Sequence, residues 1–163
     1  MQKTAYVSLV GRYPWAVVNS YYAVLKKERC HPDCVHLVIE KSYDHDIDKL
    51  VKSIDIISKE FGLKINVETT TVDDAAFAPA GKTLLDLYQA YQHNNHRIAL
   101  DITPGRKALV AAALIASTKT ENIAHVFYLA VKDQGLADLP YMLKPTNLQR
   151  LQDLLTHTTE DNQ

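Results

Sequence analysis

The stretch DITPGRKALVAAAL, Asp101 to Leu114, decides how the chain reads. It follows a short apolar run, HRIAL, and opens a long alanine-rich segment. A strand that gives way through proline and glycine to a helix is a βα turn of an α/β sheet. Asp101, at the strand end, can accept backbone N–H bonds and hold the turn. Thr103 can cap the helix, and Pro104 fits its first turn, where a missing N–H is no loss. Gly105 lets a ligand approach the backbone without a Cβ in the way. Arg106 and Lys107 then put two cations where the helix dipole is already positive, which is locally unfavourable. A bound anion removes that conflict, and phosphate is the obvious candidate. The alternative is that both cations simply point into water.

Outward from this turn, the same alternation repeats. Ala5–Val10 is rich in strand formers and ends at Gly11; Pro14 suits a helix start, and Trp15–Lys27 follows with basic residues in its last turn. Val35–Ile39 reads as the second strand. Ser42 or Asp44 can cap a helix over Asp46–Phe61, where Ile47, Leu50, Val51, Ile54, Ile57 and Phe61 recur at helical spacing and Gly62 supplies the stop. Leu63–Val67 is expected as a third strand trailing into a threonine-rich edge, with a helix from about Ala80 to His93 after it. Arg97–Ile102 is the fourth strand, Arg106–Thr118 the apolar helix, and Ala124–Val131 the fifth strand. A short sixth strand near Tyr141–Leu143 and a terminal helix over Thr146–Leu155 complete the expectation. Such alternation predicts an α/β fold: a Rossmann-like, mostly parallel sheet of about six strands with helices on both faces, in three layers. Residues 1–155 read as one domain and 156–163 as a loose polar tail.

Composition sets limits on function. With 163 residues and a formal net charge of −1, bulk charge announces neither a nucleic-acid nor a membrane partner, so any anion site is local and no DNA is expected. No apolar run approaches the roughly 18–20 residues that span a bilayer, and Arg12 and Pro14 cut short any signal-peptide layout. A cytoplasmic protein is expected, with membrane attachment possible only through a segment outside this sequence. Cys30 and Cys34, in ERCHPDCVH, have His31 and His36 beside them, but the C-x3-C spacing has no second pair to complete four ligands. Asp44, Asp46 and Asp48 fall at a helix start, where acids are favoured anyway. No metal and no cofactor are expected.

Ligands of open α/β sheets sit outside the carboxyl ends of the strands, at the switch in strand order. Besides DITPGRK, the loop VGRYPW after strand one lies at that edge. Gly11, Arg12, Tyr13 and Trp15 combine flexibility, a cation and aromatic faces that can stack on bases, and Asn19 can bond a base edge or a ribose hydroxyl. Alternatively Trp15 packs in the core and Tyr13 covers the sheet. Neither G-x-x-x-x-G-K-[ST] nor G-x-G-x-x-G is present, which argues against a P-loop or an ordinary dinucleotide site. A nucleotide-cofactor enzyme remains an alternative, with Glu40 at the end of strand two as its ribose ligand.

Asp101–Lys107, D-I-T-P-G-R-K, resembles the D-x-T-G-G-T-K motif of CARF domains, the CRISPR-associated Rossmann-fold sensors. Ser8–Tyr22, SLVGRYPWAVVNSYY, is similar to their first conserved loop. The order of elements agrees along nearly the whole chain. Pro104 stands where the motif has glycine, and Arg106 where it has a small polar residue. The resemblance implies a homodimer whose cleft binds cyclic oligoadenylate, the second messenger of type III CRISPR systems. Cyclic tetra-adenylate is expected first and cyclic hexa-adenylate second. Thr103, Gly105, Arg106 and Lys107 would hold phosphates, while Gly11, Arg12 and Tyr13 would line the adenine and ribose sites. CARF proteins usually carry an effector, so a sensor with a separate or fused effector is implied. The alternative is a stand-alone, metal-independent ring nuclease in which the ligand's own 2′-hydroxyl attacks the adjacent phosphate. Lys107 or Arg106 would then neutralise the phosphorane. The histidines at 45, 93, 96 and 125 are scattered and give no evident His–carboxylate pair.

Overall fold

The protein is described by a computed structural model covering residues 2–27 and 29–156. Six strands form one sheet: β1 (Lys3–Val10), β2 (Cys34–Glu40), β3 (Asn66–Val72), β4 (His96–Asp101), β5 (Ile123–Val131) and β6 (Gln149–Asp153). Their order is β3-β2-β1-β4-β5-β6. The first five are parallel and β6 runs antiparallel to β5. The helices are α1 (Pro14–Lys26), α2 (Ile47–Glu60), α3 (Phe77–His93) and α4 (Lys107–Ser117). Strand order reverses between β1 and β4, both central, so the loops after these two strands flank the switch point.

The strand period of two sorts β1 between two cores. Ala5, Val7 and Leu9 face Leu84 and Tyr88 of α3 and Leu109 and Ala113 of α4. Tyr6 and Val10 face Val17, Tyr21 and Val24 of α1 and Leu50 and Ile54 of α2. Helices thus cover both faces, giving the expected three-layer Rossmann-like α/β architecture. No helix among the described residues is long and apolar enough to cross a membrane.

Several boundaries differ from the sequence expectation. The third strand is the threonine run itself, with Thr69, Thr70 and Thr71 in register with Leu37, Val38 and Ile39. Threonine is β-branched and tolerates a half-exposed edge, so Leu63–Val67 mostly serves as its approach. Neither Ser42 nor Asp44 caps α2. Lys41–Asp46 forms a 3₁₀ turn, Asp46 precedes the helix without a side-chain cap bond, and the Ser42 amide and hydroxyl both donate to Asp74. Tyr141–Leu143 is a 3₁₀ turn rather than a strand. The expected helix over Thr146–Leu155 is a 3₁₀ turn at Thr146–Leu148 followed by β6. Gly62 has φ +71° and follows α2 as the expected stop. The tail HTTEDNQ, 157–163, lies outside the described residues.

Candidate anion-binding site

Asp101 organises the switch point. It is fully buried, and its Oδ2 accepts hydrogen bonds from the hydroxyls of Ser8 on β1 (2.9 Å) and Ser20 on α1 (2.6 Å). Its Oδ1 accepts the Thr103 N–H at 3.0 Å. One carboxylate therefore ties β1, α1 and the turn after β4 together. Burial pushes its pKa above the ordinary aspartate range, against the pull of those three donors. Asp101 holds the turn in this way, both of its oxygens being engaged by donors from the protein itself.

The turn itself is built differently from the sequence expectation. Arg106, with φ −75° and ψ 155°, is the residue that precedes α4, and the first intrahelical bond runs from the Val110 N–H to the Arg106 carbonyl at 2.9 Å. Thr103 does not cap the helix: its hydroxyl oxygen accepts the Leu129 N–H of β5 at 2.9 Å. Pro104 lies before the helix, not in its first turn, and is buried. The reason for Gly105 is also internal. A Cβ there would meet Val110 Cγ2 at 2.7 Å and Leu9 Cβ at 3.0 Å, so glycine lets the turn seat on β1 and α4 rather than admitting a ligand. A Cβ on Gly11 would lie 2.4 Å from the Pro104 carbonyl oxygen, which shows how closely the two loops approach.

That approach creates a cavity of about 540 Å3 at the strand carboxyl ends, within the usual size range of small-molecule sites. Arg12 and Tyr13 line it from the β1 loop, and the segment Thr103–Lys107 lines it from the β4 loop. Glu40 at the end of β2, Ala75 in the β3–α3 loop, Ala16 of α1 and Ala108 of α4 complete the wall. Arg12, Arg106 and Lys107 are exposed, and the Arg12 guanidinium lies 5.6 Å from the Tyr13 ring centre. The Arg106 guanidinium lies 5.9 Å from the Tyr43 ring centre, with its Nε 3.9 Å from Glu40 Oε2. The first N–H groups of α4 have no intrahelical acceptor and point to the same end, where the helix dipole is positive. Three cations, free helix N–H groups and an aromatic face suit an anionic, ring-bearing ligand.

Four of the sequence candidates, Gly11, Trp15, Asn19 and Asp101, do not line this cavity. Trp15 is 40% exposed and so is not a core residue, but it lies outside the cavity wall. Asn19 is buried; its side chain donates to the Leu139 carbonyl at 2.9 Å and accepts the Tyr141 N–H at 2.7 Å, anchoring the segment before β6. It borders a second cavity of about 170 Å3 that also touches Tyr13 and Thr103. Lys144 lines this second cavity and had no sequence signal: it is buried, donates to the Ala137 carbonyl at 3.3 Å, and its pKa is lowered by burial. Cys30 and Cys34 are free thiols; burial, with Asp33 nearby, pushes Cys30 up to about 12. Among the described residues no group of three or more histidine, cysteine or acidic side chains is gathered as a metal site would require.

No protein-family model matches the sequence, and no curated protein matches it. Solved structures do match. Can2 from Sulfobacillus thermosulfidooxidans, in complex with cyclic tetra-adenylate, aligns at a TM-score of 0.56 and 14% identity over 76% of this chain and 31% of its own. Csm6 from Enterococcus italicus, bound to cyclic hexa-2′-fluoro-hexa-dAMP, aligns at 0.57 and 16% over 98% of this chain and 44% of its own. A type III CRISPR defence DNA nuclease activated by cyclic oligoadenylate aligns at 0.55 and 14% over 81% of this chain and 19% of its own. The chain therefore spans less than half the length of each of these proteins. At such identities the likeness is one of fold, and the Rossmann-like fold implied by the resemblance to CARF domains is the fold of this protein.

Proposed function

We propose that the chain is a cyclic oligoadenylate sensor domain of type III CRISPR antiviral signalling. Cyclic tetra-adenylate is its first ligand and cyclic hexa-adenylate its second. The ring binds across a homodimer, and the signal passes to a separate or fused effector. Arg12, Arg106 and Lys107 bind the phosphates with the first N–H groups of α4, and Tyr13 stacks on adenine. The observation that carries this reading is the convergence of the β1 and β4 loops. They place three cations and an exposed tyrosine around one cavity at the strand switch point. The fold shared with proteins solved in complex with cyclic adenylates supports it.

Calorimetry with cyclic tetra- and hexa-adenylate, set against NAD and ATP, is the test. The expected outcome is ring binding at micromolar protein or below, with neither competitor matching it. Tighter binding of NAD would move the protein to the nucleotide-cofactor class. Lys107→Ala should weaken the ring by on the order of 1.5–3 kcal/mol, the value of one charge-assisted hydrogen bond. Unchanged affinity would leave Lys107 in solvent. Prolonged incubation with EDTA, followed by chromatography, should return intact ring; linear products in molar excess over protein would make it a ring nuclease instead.

A further inference from the structure

Glu40 closes β2 and is only 1% exposed, yet it belongs to the wall of the main cavity. Its two oxygens have different surroundings. Oε1 accepts the Ala75 N–H at 3.0 Å, at a residue held in the left-handed region with φ +52°. Oε2 is buried and has no hydrogen-bond donor from the protein; Arg106 Nε, at 3.9 Å, is too far to serve. A carboxylate oxygen withdrawn from water without a donor is costly, so the cavity wall holds an acceptor in need of a partner.

A phosphate cannot be that partner, since it is an acceptor of the same sign. The wall therefore calls for a ligand with a hydroxyl or amine donor next to its anionic group. A 3′,5′-linked ribonucleotide has this arrangement: its 2′-hydroxyl is on the carbon adjacent to the one bearing the 3′-phosphate. A phosphate held by Arg106 brings the neighbouring hydroxyl towards Glu40, whose Oε2 stands beside the same guanidinium.

We propose that Glu40 is the residue that selects ribose, its Oε2 accepting a hydrogen bond from the 2′-hydroxyl of the bound nucleotide. This rests on the cyclic oligoadenylate reading above. The competing donor is the exocyclic amine of adenine, and the experiment separates the two.

Calorimetry would compare cyclic tetra-adenylate with its 2′-fluoro counterpart, which lacks the donor, and with the tetra-inosinate ring, which lacks the amine. The wild type should bind the 2′-fluoro ring about ten-fold or more weakly, the value of one hydrogen bond to a charged group. In Glu40→Gln the amide oxygen stays on the Ala75 N–H and the amide nitrogen turns into the cavity, so an acceptor becomes a donor. This variant should discriminate the natural from the 2′-fluoro ring several-fold less than the wild type does, because a neutral amide donor to the hydroxyl oxygen replaces a charged acceptor, while keeping the wild-type ratio between adenine and inosine rings. Equal binding of the natural and 2′-fluoro rings by the wild type overturns the assignment, as does a Glu40→Gln protein that keeps the wild-type 2′-fluoro penalty in full. Loss of the adenine preference in Glu40→Gln, with the 2′-fluoro penalty intact, assigns Glu40 to the amine and also overturns it. Failure of the wild type to bind any ring overturns the sensor reading itself, a result distinct from these. The wild-type comparison needs no variant, and Glu40→Asp, which withdraws the carboxylate by one methylene, serves if Glu40→Gln does not fold.

Discussion

Gly11 and Asp101 govern the junction from opposite sides, one by absence of bulk and one by charge. An alanine at position 11 would force its Cβ to 2.4 Å from the Pro104 carbonyl oxygen. Backbone cannot yield cheaply there, so Gly11→Ala should cost about 1–3 kcal/mol in chemical denaturation; an unchanged stability would mean that the β4 turn is free to move. Asp101 makes a pH-dependent contribution of a definite sign. Its pKa is raised by burial, so the folded protein holds the proton more readily than the unfolded chain. The folded state is therefore favoured below the ordinary aspartate range and loses that advantage as the pH climbs towards the raised value. Asparagine does not titrate. The melting temperature of the wild type relative to Asp101→Asn should fall as the pH rises through that window, and a constant difference would show that Asp101 has an ordinary pKa. The role of Asp101 was legible because a carboxylate at a strand end beside free N–H groups has few other uses. The role of Thr103 was not: its partner, the Leu129 N–H, is 26 residues away and on another strand.

Among the elements, α3 and β6 show where local pattern holds and where tertiary pairing overrides it. In α3, Gly81 sits inside the helix with ample room: an added Cβ would be 3.9 Å from Ala112 Cβ, an ordinary contact. Glycine in a helix interior is costlier than alanine, so Gly81→Ala should stabilise the protein by about 0.5–1 kcal/mol, read as a higher denaturation midpoint. A loss of stability would mean that α3 and α4 cannot accept the methyl. The helices α1, α2 and α4 were readable to within about one residue because their apolar spacing, starts and stops agree with their packing. β6 was misread because Leu148, Leu151, Leu154 and Leu155 recur at helical spacing. Its environment decides otherwise. Asp153 accepts the Val126 N–H at 3.1 Å and a hydrogen bond from the His125 ring at 2.7 Å, and Leu151 packs on the α1 side of the sheet. Pairing with β5 covers what would otherwise be that strand's open edge, a demand no local window of sequence contains.

At the scale of the whole molecule, charge and size together set the stoichiometry of the proposed complex. The chain carries a formal net charge of −1, so attraction for an anion comes from the local trio Arg12, Arg106 and Lys107. Glu40 and Asp74 stand near Arg106 and temper it; the Asp74 carboxyl is held below its usual range first by hydrogen bonds from Ser42 and further by Arg106. A tetra-adenylate ring carries four phosphate charges and four nucleotides, which exceed the three cations of one chain and outgrow one cavity of about 540 Å3. Two copies related by a two-fold axis offer six cations and two cavities to a ligand that has the same symmetry. Tyr13 and Tyr128, each at least 40% exposed and bordering the smaller cavity, provide apolar surface beside the site for such an association. Titration should therefore saturate at one ring per two chains, and light scattering should give twice the 18.3 kDa chain mass when the ring is bound. Affinity should also fall as salt is raised from about 50 to 500 mM, because the shortened Debye length screens the attraction between exposed charges. Saturation at one ring per chain, with the monomer mass retained, would remove the shared cleft from the proposal and leave each cavity to bind on its own.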